Sequence, residues 1–353
     1  MAVKAMRAFG SMKGFVGSFL GLACLAGSAA PANASIAPSQ LSVMTYNVEG
    51  LPFPVRIGRA DKLRQIGATL ATLRAEGRQP HVVVLQEAFS ADAKAITAQA
   101  GYRYAVNGPA STLQGAQATS TADRRFADAA SLFRGERSGK WADSGLRIAS
   151  DYPILAVRRM AYPAYACAGF DCLANKGVLA VTIRVPGLPE PVAVVATHLN
   201  SRMSSHAPAA RSLYAYQRQV DALGDFVRKV VPDNIPFVLA GDLNVGRQID
   251  RRSYLIRNTA LWRQSAPLDV AMARCLPDPA CNKSNLVDLR YSFRRARDWQ
   301  FYSPGQRAAL QVTAVSGLFG HDAKGAMLSD HVGYVASYLV TSRQTAPLVV
   351  ASR

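Results

Sequence analysis

The sequence predicts an α/β fold in one domain, with sheets packed as a sandwich and helices outside it. Three observations carry this. Val82–Leu85 and Phe237–Ala240 are unbroken apolar runs, the pattern of strands buried on both faces. Residues 61–76 and Pro208–Val231 instead place apolar side chains at helical spacing. Strand and helix signals follow one another from Leu41 to Leu339 with no linker and no internal repeat, which argues for one core rather than several.

The first strand, Leu41–Tyr46, alternates and ends in β-forming residues. Leu63, Ile66, Leu70 and Leu73 line one face of the helix over 61–76, which Gly77 closes. A strand over His81–Leu85 follows. Residues 107–140 are polar and rich in Gly and Ser, and read as a long surface loop holding a helix over Asp123–Ala130. Further strand signals lie at Leu146–Ile148, Ile154–Met160, Val178–Val185 and Val192–Thr197. The helix over Pro208–Val231 turns Leu213, Tyr216, Val220, Leu223 and Val227 to one side and leads to the strand at Phe237–Ala240. After Gly246 the pattern loosens until strands resume at Trp299–Tyr302, Leu310–Val315 and Val332–Leu339.

Lys4, Arg7 and Lys13 precede an apolar, small-residue stretch from Phe15 to Ala26, and Ala32-Asn33-Ala34 offers a small-x-small cleavage site. This is the pattern of a secretory signal peptide over 1–34, with the mature domain over 35–353. The alternative, a membrane anchor, needs about 20 apolar residues, and the stretch is shorter. A lipoprotein signal at Cys24 would want a branched apolar residue where Gly21 stands. Export to a periplasm or the medium is expected. Removing the leader's three basic residues lowers 41 Lys+Arg to 38 against 23 Asp+Glu, a balance of +15. Such a surface favours partners rich in phosphate: nucleic acid, anionic lipid headgroups or phosphorylated sugars. Plain solubility or salt tolerance is the alternative. Four cysteines remain in two close pairs, Cys167 with Cys172 and Cys275 with Cys281. Three connectivities exist, and two short-loop bridges are expected in an oxidising compartment. Zinc is disfavoured because no histidine stands at ligand spacing beside either pair.

The chemistry gathers where apolar runs end. Asn47 follows Thr45-Tyr46, Glu87 follows Leu85-Gln86, His198 follows Thr197, and Asp242 and Asn244 straddle Leu243. Asp143, Asp298 and the pair Asp330-His331 complete the set. Strand ends in an α/β fold meet at one edge of a sheet, so these groups can converge. Glu87 ends a wholly apolar strand, where a carboxylate is costly unless it meets a cation or a salt-bridge partner. Asn47 offers a neutral oxygen to the same ion, or is a turn residue. Asp330 adds a second carboxylate beside the proton donor His331. Hard oxygens of this kind suit Mg2+, with Mn2+ or Co2+ as substitutes. Asp242 and Asn244 lie two apart and face the same side, so Asp242 can orient or deprotonate a water while Asn244 holds a phosphate oxygen; an Asx turn is the alternative. His198 can donate to a non-bridging oxygen, or be structural. Together the groups point to metal-assisted hydrolysis of a phosphate ester.

In order, MTYNVEGLP, VVVLQEAF, DSGLRIASDYPI, ATHLNSR, AGDLNV and LSDHVGYV resemble the motifs of the endonuclease/exonuclease/phosphatase superfamily, over essentially all of residues 41–340. The resemblance implies a deoxyribonuclease-like four-layer α/β sandwich, two packed mixed β-sheets flanked by helices, and magnesium-dependent phosphoester hydrolysis. CAGFDCLANKGVLAVTI is similar to a segment of secreted bacterial sphingomyelinases, and Asp171 and Lys176 have the spacing of an Asp/Lys pair in mammalian neutral sphingomyelinases. DSGLRIASDYPI is also closer to the sphingomyelinase form. Carried over, Glu87 is the main magnesium ligand with Asn47 and Asp330 near it. His331 is the general acid or base, oriented by Asp298. Asp242 positions or activates the attacking water, and Asn244 and His198 bind the phosphate. Asp143 lies near the leaving group and Lys176 near the substrate phosphate. Which of Asp242 and His331 takes the water proton stays open.

The expected protein is therefore a secreted, monomeric, magnesium-dependent phosphodiesterase of phospholipase C type, cleaving sphingomyelin to ceramide and phosphocholine. An extracellular nuclease acting on DNA or RNA is the first alternative and an inositol-phosphate phosphatase the second. A binding module without catalysis is disfavoured, since every catalytic position holds the residue type the chemistry needs. Bacterial sphingomyelinases of this family insert a β-hairpin into the membrane. The corresponding region here, 303–327, offers VSGLFGHDAKGAM with Leu318 and Phe319 as apolar tips for peripheral membrane contact. LPFP at Leu51–Pro54 is a second candidate, and core or loop packing is the alternative for both.

Overall fold

Thirteen strands and seven helices follow one another in the structure, a computed structural model that describes residues 39–51 and 56–343. The expected leader over 1–34, and all of the LPFP stretch except Leu51, lie outside the described residues. In chain order the strands are β1 (Ser39–Asn47), β2 (Val82–Gln86), β3 (Tyr104–Asn107), β4 (Arg147–Ser150), β5 (Ile154–Ala161), β6 (Gly177–Ile183) and β7 (Val192–His198). Then come β8 (Phe237–Asp242), β9 (Asp269–Val270), β10 (Asn282–Ser284), β11 (Asp298–Ser303), β12 (Ala308–Leu318) and β13 (Gly333–Ser342). The helices are α1 (Arg59–Ala75), α2 (Ala91–Gln99), α3 (Thr121–Asp128), α4 (Ala209–Val230), α5 (Ile249–Thr259), α6 (Ala271–Cys275) and α7 (Leu286–Arg295).

One sheet runs β10-β12-β13-β1-β2-β4-β3 and the other β5-β6-β7-β8-β11-β9. Both are mixed. β1 and β2 pair in parallel, as do β7 and β8, and each parallel pair is joined by a helix, α1 and α4 respectively. That is the connection parallel neighbours require. The four-layer sandwich follows from period-two alternation. Val82 and Val84 of β2 and Val192, Val194 and Ala196 of β7 enter the core between the sheets. Their neighbours face outward: Val83 and Leu85 toward Leu63, Ile66 and Leu70 of α1, Ala193 and Val195 toward Tyr216, Val220 and Leu223 of α4.

Both expected disulfides are present, Cys167–Cys172 and Cys275–Cys281. Among the described residues no helix is long and apolar enough to cross a membrane. One expectation needs correcting. Leu318 and Phe319 are not apolar tips: both pack against the buried cluster under α1, and the Phe319 ring stacks on Tyr46 at 5.0 Å. Phe319 has a left-handed backbone (φ 56°) that turns the chain inward directly after β12. The segment after Gly246 is more regular than its sequence indicates, holding α5, α6 and α7. These helices bury few apolar side chains; α5 buries only Leu255 of that kind, and α7 only Leu289.

Candidate active site

Asn47 ends β1, Glu87 follows β2, His198 ends β7 and Asp242 ends β8. Asp298 opens the antiparallel β11, opposite Asp242 in the ladder, while His198 lies opposite Asp242 on the other side. One sheet edge thus aligns His198, Asp242 and Asp298 by register alone. Groups from the other sheet meet them: the Asn47 amide nitrogen donates to Glu87 Oε1 (2.9 Å) and to Asp242 Oδ2 (3.2 Å). His331, just before β13, sets Nε2 3.6 Å from Asp242 Oδ2 and Nδ1 2.9 Å from Asp298. Glu87 (φ 54°) and Asn244 (φ 46°) both hold left-handed backbones, a strain that marks functional turns. Gly145 (φ 64°) permits close packing beside Glu87: a Cβ there would lie 3.1 Å from the Glu87 Cα and 2.7 Å from the Phe89 ring.

Charge states follow from this geometry. Burial disfavours a charge on His331, yet Asp298 and Asp242 outweigh it and hold the imidazole up at about 9. Burial likewise opposes the Asp242 anion, but His331, His198, the Asn244 backbone N–H and Asn47 hold it down at about 2. His198 is pushed down to about 4 by burial and then by the Lys176 ammonium, so it is neutral at pH 7. Burial raises Glu87 above the usual carboxylate range, the mark of a buried acid short of counter-charge.

Two groupings have the chemistry to hold a divalent cation. Asp242, Asp298 and His331 offer ligand atoms within 4.8 Å of one another. There, however, Nδ1 of His331 is already taken by Asp298. Glu87 fits better. Only Asn47 hydrogen-bonds its carboxylate among the described residues, and anionic Asp242 lies across the same amide. Hard, negative oxygens around one point suit Mg2+.

Three expected placements change. Lys176 was expected at the phosphate, but its ammonium donates to Asp171 (2.8 Å) and the Leu199 carbonyl (3.0 Å) and stands behind the His198 ring, 3.3 Å from Nε2. Asp330, expected beside Glu87 and Asn47, instead turns its carboxylate to Arg295 (3.3 Å) and Arg297 (3.1 Å), with His331 at 3.7 Å. Asn47 presents its nitrogen to the carboxylates while its oxygen accepts from the Glu49 N–H. Asp143 pairs with Lys94 at 2.7 Å on the segment that hydrogen-bonds Ala88 beside Glu87. Asn244 donates to the Leu199 carbonyl and its backbone N–H to Asp242. Arg251 was missed altogether: fully buried, it ties the Asn200 and Asn244 carbonyls and the Ser212 hydroxyl together. Arg295 and Arg297 were missed too, although RRARD directly before Trp299 carries the signal.

Comparison with known proteins identifies the fold and the family. No curated protein matches the sequence. Beta toxin from Staphylococcus aureus, in a mutant form with bound magnesium ions, is similar in structure (TM-score 0.57, 18% identity, 86% of this chain and 100% of that one). So are sphingomyelinase C from Streptomyces griseocarneus (TM-score 0.57, 20% identity, 84% and 99%) and D. rerio TDP2 complexed with a single-strand DNA product (TM-score 0.53, 15% identity, 85% and 99%). At such identity the likeness establishes the fold. The model of the Endonuclease/Exonuclease/phosphatase family, by contrast, matches residues 44–331, from within β1 to His331. With its site residues all inside that match, this chain belongs to the endonuclease/exonuclease/phosphatase family of phosphoester hydrolases.

Proposed function

We propose that the protein is an exported, divalent-metal-dependent phosphodiesterase of phospholipase C type, releasing the phosphorylated headgroup of a sphingomyelin-like membrane lipid. The single observation carrying hydrolysis is the convergence of Glu87, Asn47, Asp242 and the His331–Asp298 pair from two sheets onto one rim. Glu87 would hold the cation, and a bound cation supplies a Lewis acid and a sink for charge. The chain's own groups do the rest. Anionic Asp242 orients the attacking water and is the group free to take its proton, since His331 already carries one. Asn244 and His198, the latter with the Lys176 ammonium behind it, bind the phosphate oxygens. Asp143 lies toward the leaving group.

A lipid is favoured over nucleic acid by apolar side chains left in solvent. Phe133 (94% exposed), Trp141 (74%), Leu132 and Phe170 stand on segments 131–141 and 169–173, with Met203 on a third. Hydrogen bonds stitch these segments together: Glu136 to Gly169 N–H, Trp141 N–H to Leu173, and Phe170 N–H to Ser205. Exposed aromatics of this kind mark contact with a partner or a bilayer. The nuclease reading retains the excess of basic residues, 41 Lys+Arg against 23 Asp+Glu, on its side.

The test offers purified protein sphingomyelin vesicles and plasmid DNA side by side, with Mg2+ or with EDTA. Lipid cleavage that EDTA abolishes is expected. Glu87→Ala and His331→Ala should each lower kcat by roughly 10³-fold or more with the fold intact. Near-normal turnover in either variant defeats the site assignment, and DNA cleavage without lipid cleavage transfers it to a nuclease.

A further inference from the structure

We infer that Arg251 is a positioning residue of the reaction: its buried guanidinium sets the spacing of the two loops that bring His198 and Asn244 to the phosphate. This rests on the phosphodiesterase reading and adds a residue to its site. Arg251 stands in the first turn of α5 and is fully buried. One of its terminal nitrogens, Nη1, donates to the Asn200 carbonyl (2.6 Å) in the loop after β7 and to the Asn244 carbonyl (2.9 Å) in the loop after β8. The other, Nη2, reaches the Ser212 hydroxyl (2.7 Å) in the first turn of α4. A single planar group therefore bridges both loops and the helix that joins β7 to β8.

Asn244 shows what the bridge holds. Its left-handed backbone (φ 46°) is strained and persists where the surroundings fix it. Here both backbone groups are taken: the N–H donates to Asp242 Oδ1 (2.9 Å) and the carbonyl accepts from Arg251. The side-chain nitrogen gives one proton to the Leu199 carbonyl (3.0 Å), which leaves its second for a phosphate oxygen. Lys176 donates to that same carbonyl and lies 3.3 Å from His198 Nε2, so the loop that Arg251 grips at Asn200 also fixes the His198 side.

The charge argues against a role in stability alone. Arg251 has no carboxylate partner among the described residues; it meets carbonyls, the Ser212 hydroxyl and the Tyr216 ring, whose centroid lies 4.4 Å from Cζ. Its Nε is buried without any partner. An ion buried without a counter-ion is destabilising, and apolar packing would hold α5 to α4 without that penalty. Burial lowers the guanidinium to about 10, which leaves it charged at pH 7. What apolar packing lacks is the rigid fork of donors that fixes the Asn200, Asn244 and Ser212 acceptors at once. The negative charge that answers Arg251 arrives with the phosphate of the substrate.

The test is a double-mutant cycle on the purified protein with Mg2+, read on sphingomyelin vesicles and on the soluble diester bis(p-nitrophenyl) phosphate. Arg251→Lys keeps the charge and loses the fork. It should lower kcat roughly a hundredfold, as a displaced contact does, with KM within about twofold of the parent. In an Asn244→Ala background the same change should cost about tenfold or less, because the group it positions is gone. Arg251→Gln, which keeps two donors and loses the charge, is the second variant should the first not fold, and it should show the same coupling. Leu255→Ala, a cavity on the same helix, should lower the melting temperature and leave kcat near that of the parent. Equal losses of kcat in both backgrounds, or a kcat that falls with the melting temperature in Leu255→Ala as well, would make Arg251 a structural anchor and overturn the inference. Near-normal kcat in Arg251→Lys or in Asn244→Ala overturns it too, while leaving the phosphodiesterase reading standing. A parent that cleaves neither diester ends both.

Discussion

At the scale of single residues, the Asp298–His331 pair sets the behaviour of the site. Its imidazole stays protonated until the pH rises through about 9 because Asp298 and Asp242 outweigh the cost of burial. A folded-state value above the ordinary 6.5 means that the pairing stabilises the fold fully below pH 6.5, and that this contribution is lost as pH rises toward 9. Asp298→Asn should therefore flatten the stability difference over that window. It should also move the pH limb of kcat that reports His331 acidward by about one unit or more. Chemical denaturation and a pH–rate profile measure the two, and an unmoved limb removes Asp298 as the positioning residue. The residue types at the site are legible in the sequence alone: Asn47, Glu87, His198, Asp242, Asp298 and His331 converge as strand ends should. Their partners are not. Asp330 turns to Arg295 and Arg297, and Lys176 to His198 and Leu199, because ion pairing is decided by neighbours 33 to 35 and 22 to 23 residues away.

At the scale of elements, strand spacing matters most where β7 meets β8. A Cβ on Gly241 would lie 2.2 Å from the Thr197 carbonyl oxygen, with backbone rather than a yielding side chain in the way. Gly241→Ala should thus force the two strand ends apart, costing roughly 3 kcal/mol and displacing His198 and Asp242 from register. Gly77→Ala is the contrast. There the strain is conformational alone (φ 67°, open space around the Cβ), worth about 1–2 kcal/mol, and activity should hold. Urea denaturation with activity measured on both variants separates the cases; equal losses would mean that the strand contact is not tight. Elements with strong patterning, such as β2, β8 and α4, can be read from the sequence within a residue or two of their ends. α2, α5 and α7 cannot. α2 packs on α1, α5 on α4 and α7 on β12, each with few apolar side chains, and α5 is anchored by the buried Arg251, which no hydrophobic period reveals.

At the scale of the whole molecule, the proposed bilayer partner would be met by a basic chain and by its exposed aromatic side chains through different physics. Attraction to an anionic bilayer is long-ranged and fades as the ionic strength rises, with a Debye length of about 8 Å at physiological salt. Burial of Phe133 and Trp141 in the headgroup region is short-ranged and salt-insensitive, worth about 1.5–3 kcal/mol for each side chain fully buried. The two can be separated. Phe133→Ser/Trp141→Ser should weaken binding to vesicles of sphingomyelin mixed with an anionic phospholipid by about tenfold or more at any ionic strength, without lowering the melting temperature, since both side chains are largely in solvent. Raising salt should weaken binding of the parent and the variant alike. Vesicle sedimentation over a salt series reads both slopes. An unchanged affinity in the variant would leave only the electrostatic attraction, which a polynucleotide satisfies as well as a bilayer, and the nuclease reading would then be the better supported of the two.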